Sequence, residues 1–296
     1  MSRPSIVWFN GKLELSERAL LTVTDRGFQV GDGIFETIRV VRGRVLELAL
    51  HASRLQTSAA VVGIVLPDDL EPCLDRAIAD VCRANGLENS DSHVAVRVTV
   101  SRGPFDGRSL LPPDDIEPNI VVQAWLVDPP SPEIFSKGLS LIISAIRRDP
   151  TSPLATVKTT SRAEFVYARL EARRNGADDA LFLTTDGCLA EATSASVFLV
   201  EKVGLATPSL DCGILVSTTR EWVISSGGPQ LDLAVREDRL MPDELFAADE
   251  VFLASSVAGI VPVTRVDGRS IGAGTPGPRT LRIRALREGE ALDLSQ

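Results

Sequence analysis

A proline-rich segment in the middle of the chain, Asp128-Pro129-Pro130-Ser131-Pro132, sets the strongest limit on the fold. Successive prolines stiffen the backbone and provide no amide hydrogens for a β-ladder, which is typical of a linker. The chain has 296 residues, about twice the length of a typical domain. We therefore predict two domains, residues 1–127 and 138–296, joined by a linker at 128–137.

Both halves of the chain mix helix and strand signals. Asn10-Gly11 lies between two short alternating runs and predicts a hairpin, because this pair accepts the positive φ angles of a tight turn. Gly63 ends a run of apolar residues at helical spacing, which predicts a helix over 48–62. The other predicted elements are helices at 69–85, 161–175, 218–226 and 278–288, and strands at 34–41, 93–101, 119–127, 139–146, 179–184, 195–200, 231–236 and 250–255. This pattern indicates an α+β or α/β fold.

The composition is that of an ordinary globular protein, with 44% hydrophobic and 24% charged residues, which argues against a disordered or fibrous chain. A net charge of −9 disfavours nucleic acid and anionic membranes as partners, because phosphate binding needs clustered positive charge. The longest apolar stretches are too short to span a bilayer and no signal peptide is visible, so we expect a cytoplasmic protein. Four scattered cysteines and two histidines show no zinc-ligand spacing, so we expect no metal site.

One lysine is a candidate nucleophile. Lys158 follows a proline-bounded loop and precedes a predicted amphipathic helix. A partly desolvated lysine near a helix N-terminus has its ammonium form disfavoured, which favours the neutral amine that attacks a carbonyl. Taken alone, the same pattern also describes a solvated surface lysine, so the assignment depends on the rest of the sequence.

Six segments occur in an order that resembles one enzyme family. They are DRGFQVGDGIFETIRV (25–40), HASRL (51–55), VKTTSRAE (157–164), GADDALFLTTDGCLAEATSASVF (176–198), CGILVSTTREW (212–222) and ADEVFLASSVAGIVPV (248–263). Together they resemble the class IV aminotransferases, the fold-type IV pyridoxal-phosphate enzymes that include D-amino-acid aminotransferase, branched-chain aminotransferase and aminodeoxychorismate lyase. The resemblance extends from about Phe9 to Pro278. It implies a two-domain fold, pyridoxal 5′-phosphate as cofactor, an amino acid and a 2-oxo acid as substrates, and a homodimer.

The resemblance assigns the central residues of the site. Lys158 corresponds to the lysine that forms the internal aldimine and moves the proton of the substrate Cα, with a pyridoxamine form as the intermediate of the reaction. Glu191 corresponds to the glutamate that bonds the pyridine nitrogen and keeps it protonated. Arg54 corresponds to the arginine that contacts the cofactor phosphate, and His51 lies one turn earlier, where it can support Arg54.

Further cofactor and substrate contacts are implied in the second half. Thr218 and Thr219 open a predicted helix, and the family places its phosphate at this helix start. Without the resemblance, both threonines are simply candidates for the helix N-cap. Leu215 corresponds to the leucine that packs on the cofactor ring, Ser256 to a hydroxyl residue that contacts the phosphate, and Val257 lies on the loop whose backbone reaches the substrate.

Three serines replace usual family residues. Ser161 and Ser196 stand where asparagines are usual, and Ser217 stands where a glycine ends the usual L-P-G turn. None of these changes removes a charged or covalent function. They imply altered hydrogen bonding around the ring and at the phosphate turn.

Of the reactions in this family, we favour transamination of D-amino acids. The wording D-R-G-x-Q-x-G-D-G, typical of those enzymes, matches the chain from Asp25 to Gly33. Phe35 replaces their substrate-side tyrosine. Arg108 is expected to bind the substrate carboxylate from the loop after the strand at 93–101, with Arg102 as the alternative.

Two alternative reactions stay open. Aminodeoxychorismate lyase releases pyruvate and 4-aminobenzoate, and Arg162-x-Glu164 and Ser256-x-x-Gly259-Ile260 resemble its wording. A branched-chain aminotransferase is the third interpretation. Those enzymes usually have a histidine-tyrosine-glycine run where this chain has Gln29-Val30-Gly31, and a tyrosine shortly after the lysine, where it has Ser161-Arg162-Ala163. A protein that binds the cofactor without catalysis is disfavoured, because all three charged residues assigned to the cofactor are present.

Overall fold

The computed structural model describes residues 6–88, 93–128 and 130–292. The chain forms two compact units. The first comprises Met1–Pro129 and Val157–Ser161, and the second comprises Pro130–Thr156 and Arg162–Gln296. Helices and strands occur in both units, which confirms the predicted mixed fold class.

The first unit is a six-stranded antiparallel sheet covered by two long helices. Its elements are β1 (Ile6–Phe9), β2 (Lys12–Leu15), α1 (Arg26–Val30), β3 (Gly33–Val41), β4 (Arg44–Val45), α2 (Leu48–Val62), α3 (Leu70–Ala84), β5 (His93–Ser101) and β6 (Asn119–Val127). The spatial order of the strands is β2-β1-β6-β5-β3-β4. Alternate residues of β3 and β5, among them Ile34, Ile38 and Val96, form one core with Leu55 of α2 and Leu74 of α3. The intervening residues of both strands therefore face the other side of the sheet.

Local signals explain most of these elements. Asn10 and Gly11 both have positive φ and form the predicted turn between β1 and β2. Helix α2 has the predicted limits and ends at Gly63, whose φ of 67° is left-handed. Helix α1 was not predicted, because it is only five residues long; the Asp25 side chain caps it by accepting a hydrogen bond from Gly27 N.

The second unit contains a nine-stranded mixed sheet within its described residues. Its elements are α4 (Pro132–Lys137), β7 (Leu139–Arg148), α5 (Ala163–Arg174), β8 (Asp179–Thr184), β9 (Leu189–Ala192), β10 (Ser196–Glu201), β11 (Gly204–Pro208), α6 (Thr218–Trp222), β12 (Ala234–Asp238), α7 (Pro242–Ala247), β13 (Glu250–Ser255), β14 (Gly259–Val266), β15 (Arg269–Ser270) and α8 (Pro278–Leu292). The strand order is β12-β11-β10-β13-β14-β7-β8-β9, with β15 paired to β14. Phe165 of α5 packs against Phe182, and Ile283 of α8 joins the cluster around Phe198 and Phe252.

Two predictions in the second unit need correction. The helix predicted over 218–226 is α6 followed by a π-helical turn at Val223–Gly227. A side chain at Gly227 would meet the Trp222 ring at 2.6 Å, so this packed turn requires a glycine, which a regular helix disfavours. Helices α4 and α7 and strands β9, β11, β14 and β15 were not predicted; all of them except β14 have six residues or fewer, and the sequence of β14 is interrupted by Pro262.

The segment that carries Lys158 belongs with the first unit. Thr159 forms an isolated antiparallel bridge with Ile34 of β3, and Phe35 N donates a hydrogen bond to the carbonyl oxygen of Lys158 at 3.0 Å. Val157 is part of the core of the first unit. The sequence predicts Lys158 to lie in the second domain, 138–296. The prediction is wrong because these pairings join residues more than a hundred positions apart, and sequence patterns report only on neighbouring residues.

Helix α4 (Pro132–Lys137) lies within the predicted linker, because a proline is tolerated in the first turn of a helix. The predicted limits of the domains otherwise stay a prediction.

The longest helices of both units have 15 residues each, whereas a bilayer span needs about 20. Within 6–88, 93–128 and 130–292, no helix has the length and apolar character needed to cross a membrane. The same ranges contain no group of three or more side chains of the types that bind metal ions.

Candidate active site

Lys158 is positioned by strand pairing rather than by a helix. It is half-buried, its backbone is bonded to β3 as described, and its Nζ lies 4.8 Å from the centroid of the Phe35 ring. Helix α5 begins only at Ala163, five residues later, and the field of a helix terminus acts within its first turn. The predicted contribution of a helix N-terminus to Lys158 is therefore wrong, and the contact that the structure gives its amino group is the one with the Phe35 ring.

Arg97 contacts the same aromatic ring and was not among the residues predicted from the sequence. Its guanidinium carbon lies 3.8 Å from the Phe35 centroid, and its Nε donates a hydrogen bond to Thr99 Oγ1 at 3.1 Å. No carboxylate among the described residues pairs with it, and burial lowers the pKa of the Arg97 guanidinium. A partly buried cation without a protein counter-ion is suited to bind an anion. The available signal was a single arginine in the β-branched run of β5, two residues from Thr99 on the same side of the strand.

Arg54 lies on α2 and is held by a buried carboxylate of β3. Its Nε and Nη2 donate to the two oxygens of Glu36 at 2.7 and 2.6 Å, and His51 Nδ1 lies 2.7 Å from Glu36 Oε2. Glu36 is fully buried. The predicted support of Arg54 by His51 therefore acts through Glu36, since the direct contact between the two side chains is a long one of 3.4 Å.

Arg108 lies on the loop between β5 and β6 and is exposed. Its neighbours are anchored from α1: Arg26 donates through its terminal nitrogens to the carbonyl oxygens of Ser109 and Leu110 at 3.0 and 2.7 Å. Arg26 itself is buried. The loop that carries Arg108 is thus tied to the core of the first unit while the Arg108 side chain extends into solvent, and its predicted carboxylate role stays a prediction.

Arg102, the alternative to Arg108, is committed to the fold of the first unit. Its Nε donates to Asp32 Oδ2 at 2.6 Å, and its terminal nitrogens donate to the carbonyl oxygens of Val62 and Gly63 at 2.5 and 2.7 Å, where α2 ends. Burial by itself would raise the pKa of Asp32, but the hydrogen bonds and charges of Arg102 and Arg26 outweigh burial, so the net effect is a lowered pKa. The Asp32 carboxylate is therefore ionised and pairs with both arginines. These contacts favour Arg108 over Arg102 for a substrate.

In the second unit, Glu191 lies near the end of β9 and is buried. Its Oε2 accepts a hydrogen bond from Leu215 N at 3.3 Å, which brings together two of the predicted cofactor residues. Its Oε1 lies 3.7 Å from Arg148 Nη2. Arg148 also pairs with Glu164 at 2.5 Å; it was not predicted from the sequence, because no motif marks the last residue of β7.

The predicted phosphate residues of the second unit meet at the start of α6. Thr218 Oγ1 lies 3.2 Å from Ser256 Oγ, so these two hydroxyls are adjacent. Ser217 is the N-cap, because its side chain accepts from Arg220 N at 3.2 Å; neither threonine has this role. Thr219 is buried, and its Oγ1 has no hydrogen-bond partner within the described part of the chain.

The remaining residues singled out from the sequence have clear positions. Val257 is half-buried in the turn between β13 and β14, directly after Ser256. Ser196 is buried at the first position of β10. Ser161 is exposed and donates to the carbonyl oxygen of Gly31 at 3.0 Å, within the first unit.

Each unit by itself contains groups of the types that pyridoxal 5′-phosphate requires. The first unit has a primary amine, Lys158, and a guanidinium, Arg54. The second unit has a buried carboxylate, Glu191, and the buried hydroxyls of Thr218 and Thr219. An amine for the aldehyde, a carboxylate for the ring nitrogen, and guanidinium and hydroxyl donors for the phosphate are what this cofactor needs. The unpartnered Thr219 hydroxyl supports the fit, because a buried donor requires an acceptor.

Comparison with known proteins identifies the family. The sequence model of the family described as amino-transferase class IV matches residues 33–266. The chain is 32% identical over 279 residues to a putative branched-chain-amino-acid aminotransferase of Methanocaldococcus jannaschii, covering 94% of this chain and 93% of that protein. It is 30% identical over 287 residues to the D-alanine aminotransferase of Bacillus licheniformis, covering 97% of each.

Solved structures give the same result. The branched-chain amino acid aminotransferase of Escherichia coli superimposes with a TM-score of 0.90 at 27% identity, covering 99% of this chain and 98% of that one. The T.th. branched-chain enzyme, complexed with N-(5′-phosphopyridoxyl)-L-glutamate, superimposes with a TM-score of 0.89 at 28% identity, covering 98% and 95%. The chain therefore belongs to the class IV aminotransferase family and is a pyridoxal-phosphate-dependent transaminase of fold type IV.

Proposed function

We propose that this transaminase exchanges the amino group of a branched-chain L-amino acid with a dicarboxylic 2-oxo acid such as 2-oxoglutarate. The similarity to branched-chain aminotransferases supports the amino-acid part of the proposal, and Arg97 supports the dicarboxylate part. Arg97 contacts the ring that Lys158 also contacts, and it lacks a protein carboxylate among the described residues. A small molecule that reacts at Lys158 could therefore place a second carboxylate against the Arg97 guanidinium. The N-(5′-phosphopyridoxyl)-L-glutamate bound in the T.th. complex also carries a second carboxylate, that of the glutamate side chain.

The expectation of D-amino acids loses its main support, because the D-R-G-x-Q-x-G-D-G wording has structural roles. Asp25 caps α1 and accepts from Ser101 Oγ at 2.7 Å. Arg26 anchors the loop at 109–110, and Asp32 pairs with two arginines. Residues with these roles organise the first unit and do not select the hand of a substrate. Transamination of D-alanine is the second candidate, favoured by the relative from Bacillus licheniformis.

The chain's own residues are assigned the following steps. Pyridoxal 5′-phosphate, when bound, supplies an aldehyde for the amino group and a ring that accepts electrons from the substrate Cα. Lys158 would bind the aldehyde through Nζ and, once displaced, take and return the Cα proton. Glu191 would hold a proton at the ring nitrogen, and Arg54 would bind the phosphate. The contacts of Thr218, Thr219, Ser256, Leu215 and Val257 with cofactor and substrate are proposed from the family.

We also propose that the chain forms a homodimer. Phe28 on α1 is 73% exposed, and Leu110 and Leu111 on the neighbouring loop are 81% and 80% exposed. Arg26 connects α1 to this loop, so the three apolar side chains belong to one region of the first unit. Large exposed apolar groups in one region favour association, and sedimentation of the purified protein tests it. A monomer at micromolar concentration would contradict the proposal.

The central test measures amino transfer to 2-oxoglutarate from L-leucine, L-valine and D-alanine, with chiral analysis of the glutamate formed. We expect transfer from the branched-chain L-amino acids. Transfer from D-alanine alone would establish the second candidate instead. Repeated pyruvate release from aminodeoxychorismate, without any 2-oxo acid acceptor, would identify the lyase.

Two arginine variants separate the proposed carboxylate contacts. Arg97→Met should raise the KM for 2-oxoglutarate by about ten- to a hundredfold, as expected for a lost charge-assisted pair, and leave the KM for L-leucine almost unchanged. Arg108→Leu should raise both KM values by a similar factor, because every amino acid and 2-oxo acid carries the carboxylate next to the reacting carbon. An equal effect of Arg97→Met on both substrates would assign Arg97 to that shared carboxylate instead.

A further inference from the structure

Glu36 is the only acidic residue on β3 and faces the helix-covered side of the sheet. Its neighbours on that side include Ile34 and Ile38, which belong to the apolar core, and its side chain is 0% exposed. A carboxylate in such a place costs free energy unless it is paired and hydrogen-bonded. The structure provides both partners from one face of α2, where His51 and Arg54 are three residues apart.

The bonds to Arg54 fix the orientation of its guanidinium. Both oxygens of Glu36 accept, one from Nε at 2.7 Å and the other from Nη2 at 2.6 Å. Because the guanidinium is planar, two parallel bonds along this edge determine both its plane and its direction. The edge that carries Nη1 then faces away from Glu36. A single bond would leave the side chain free to rotate.

His51 holds the same carboxylate through a second contact to Oε2. Its Nδ1 lies 2.7 Å from Glu36 Oε2, and an ionised carboxylate can only accept, so Nδ1 carries the hydrogen. Its Nε2 is buried without a hydrogen-bond partner among the described residues. A histidine with one unpaired nitrogen in the core contributes little to the stability of the fold. The hydrogen bond from His51 Nδ1 holds the Glu36 carboxylate, which in turn holds Arg54.

We propose that Glu36 is a positioning residue that sets the guanidinium of Arg54 in the orientation that binds the phosphate of the cofactor. The proposal rests on the phosphate-binding role proposed for Arg54. It differs from a purely structural role in what its loss changes: a structural ion pair affects the stability of the fold, whereas a positioning residue also changes the affinity for the phosphate. On this inference, Glu36 affects the enzyme through the phosphate of the cofactor and not through its ring.

The test compares the affinity of the apoenzyme for pyridoxal 5′-phosphate with its affinity for pyridoxal, which lacks the phosphate. The ratio of the two dissociation constants isolates the phosphate contacts. Glu36→Gln should reduce this preference for the phosphorylated form by about tenfold or more, with little change in the affinity for pyridoxal. Glu36→Asp keeps the charge but shortens the side chain, so it should also reduce the preference, by a smaller factor.

Arg54→Gln and the double variant complete the cycle. Arg54→Gln alone should reduce the preference, and adding Glu36→Gln to it should reduce the preference no further, because Glu36 acts through Arg54. Asp25→Asn is the matched control: Asp25 is also a fully buried carboxylate of the first unit, and its loss should lower thermal stability without changing the preference.

The outcomes separate the inference from the role on which it rests. If Arg54→Gln leaves the preference unchanged, Arg54 does not bind the phosphate and both proposals are wrong. If Arg54→Gln reduces the preference but Glu36→Gln and Glu36→Asp do not, only the positioning role of Glu36 is refuted. Should Glu36→Gln not fold, Glu36→Asp and the double variant, which removes both buried charges, decide the question in the same way.

Discussion

Glu36 makes the stability of the first unit depend on pH within a window that its own pKa defines. Burial alone would raise this pKa, but the hydrogen bonds and charges of Arg54 and His51 outweigh burial and lower it from 4.5 to about 2. In the folded protein Glu36 therefore stays ionised down to about pH 2, whereas in the unfolded chain it is protonated below about 4.5. Since the unfolded state binds the extra proton in this window, the free energy of unfolding falls as the pH falls.

The magnitude follows from the two pKa values. The difference between them corresponds to ~3 kcal/mol, present in full above pH 4.5 and lost as the pH falls to about 2. Urea unfolding of the apoprotein at a series of pH values measures this, with the Glu36→Gln/Arg54→Gln double variant as reference. In a Trp222→Phe background, the fluorescence of Trp8 and Trp125 reports on the first unit alone.

The measured quantity is the difference in unfolding free energy between the parent protein and the double variant. It should be constant above pH 4.5 and should decrease by about 3 kcal/mol towards pH 2, since the other carboxylates contribute equally to both proteins. A difference that stays constant throughout the range would refute the lowered pKa. A difference that grows on acidification would mean that burial dominates and that Glu36 is protonated in the folded state.

Three further predictions concern the site and the loop of Arg108. Lys158→Ala should fold but lose covalent attachment of the cofactor, measured by borohydride reduction and mass spectrometry, and turnover should fall by several orders of magnitude; an active variant that still attaches the cofactor would disprove the assignment. Glu191→Gln should bind the cofactor but lower kcat about a hundredfold, whereas Glu164→Gln, which removes the other carboxylate paired with Arg148, should have a small effect; equal losses would point to Arg148 instead. Arg26→Met should release the anchored loop and speed tryptic cleavage after Arg108, and an unchanged cleavage rate would show that other contacts hold the loop.

Short-range physics made several features readable from the sequence alone. The turn at Asn10-Gly11 and the stop at Gly63 depend on the φ angles that those residues accept, and the structure has both where they were predicted. The limits of α2 follow from the spacing of its apolar residues. The family, its cofactor and the candidate residues Lys158 and Glu191 were readable because their motifs are local strings in a fixed order.

Only the tertiary structure decided which side chains meet. Glu36 and Arg54 pair because α2 packs over β3, and Arg97 reaches Phe35 because β3 and β5 pair in one register; a shift of one residue would turn Arg97 to the other face. Lys158 likewise belongs with the first unit because its backbone bonds to β3. Sequence patterns record the preference of each segment for helix, strand or turn, whereas the partner of a buried charge depends on packing between segments that are distant in the chain.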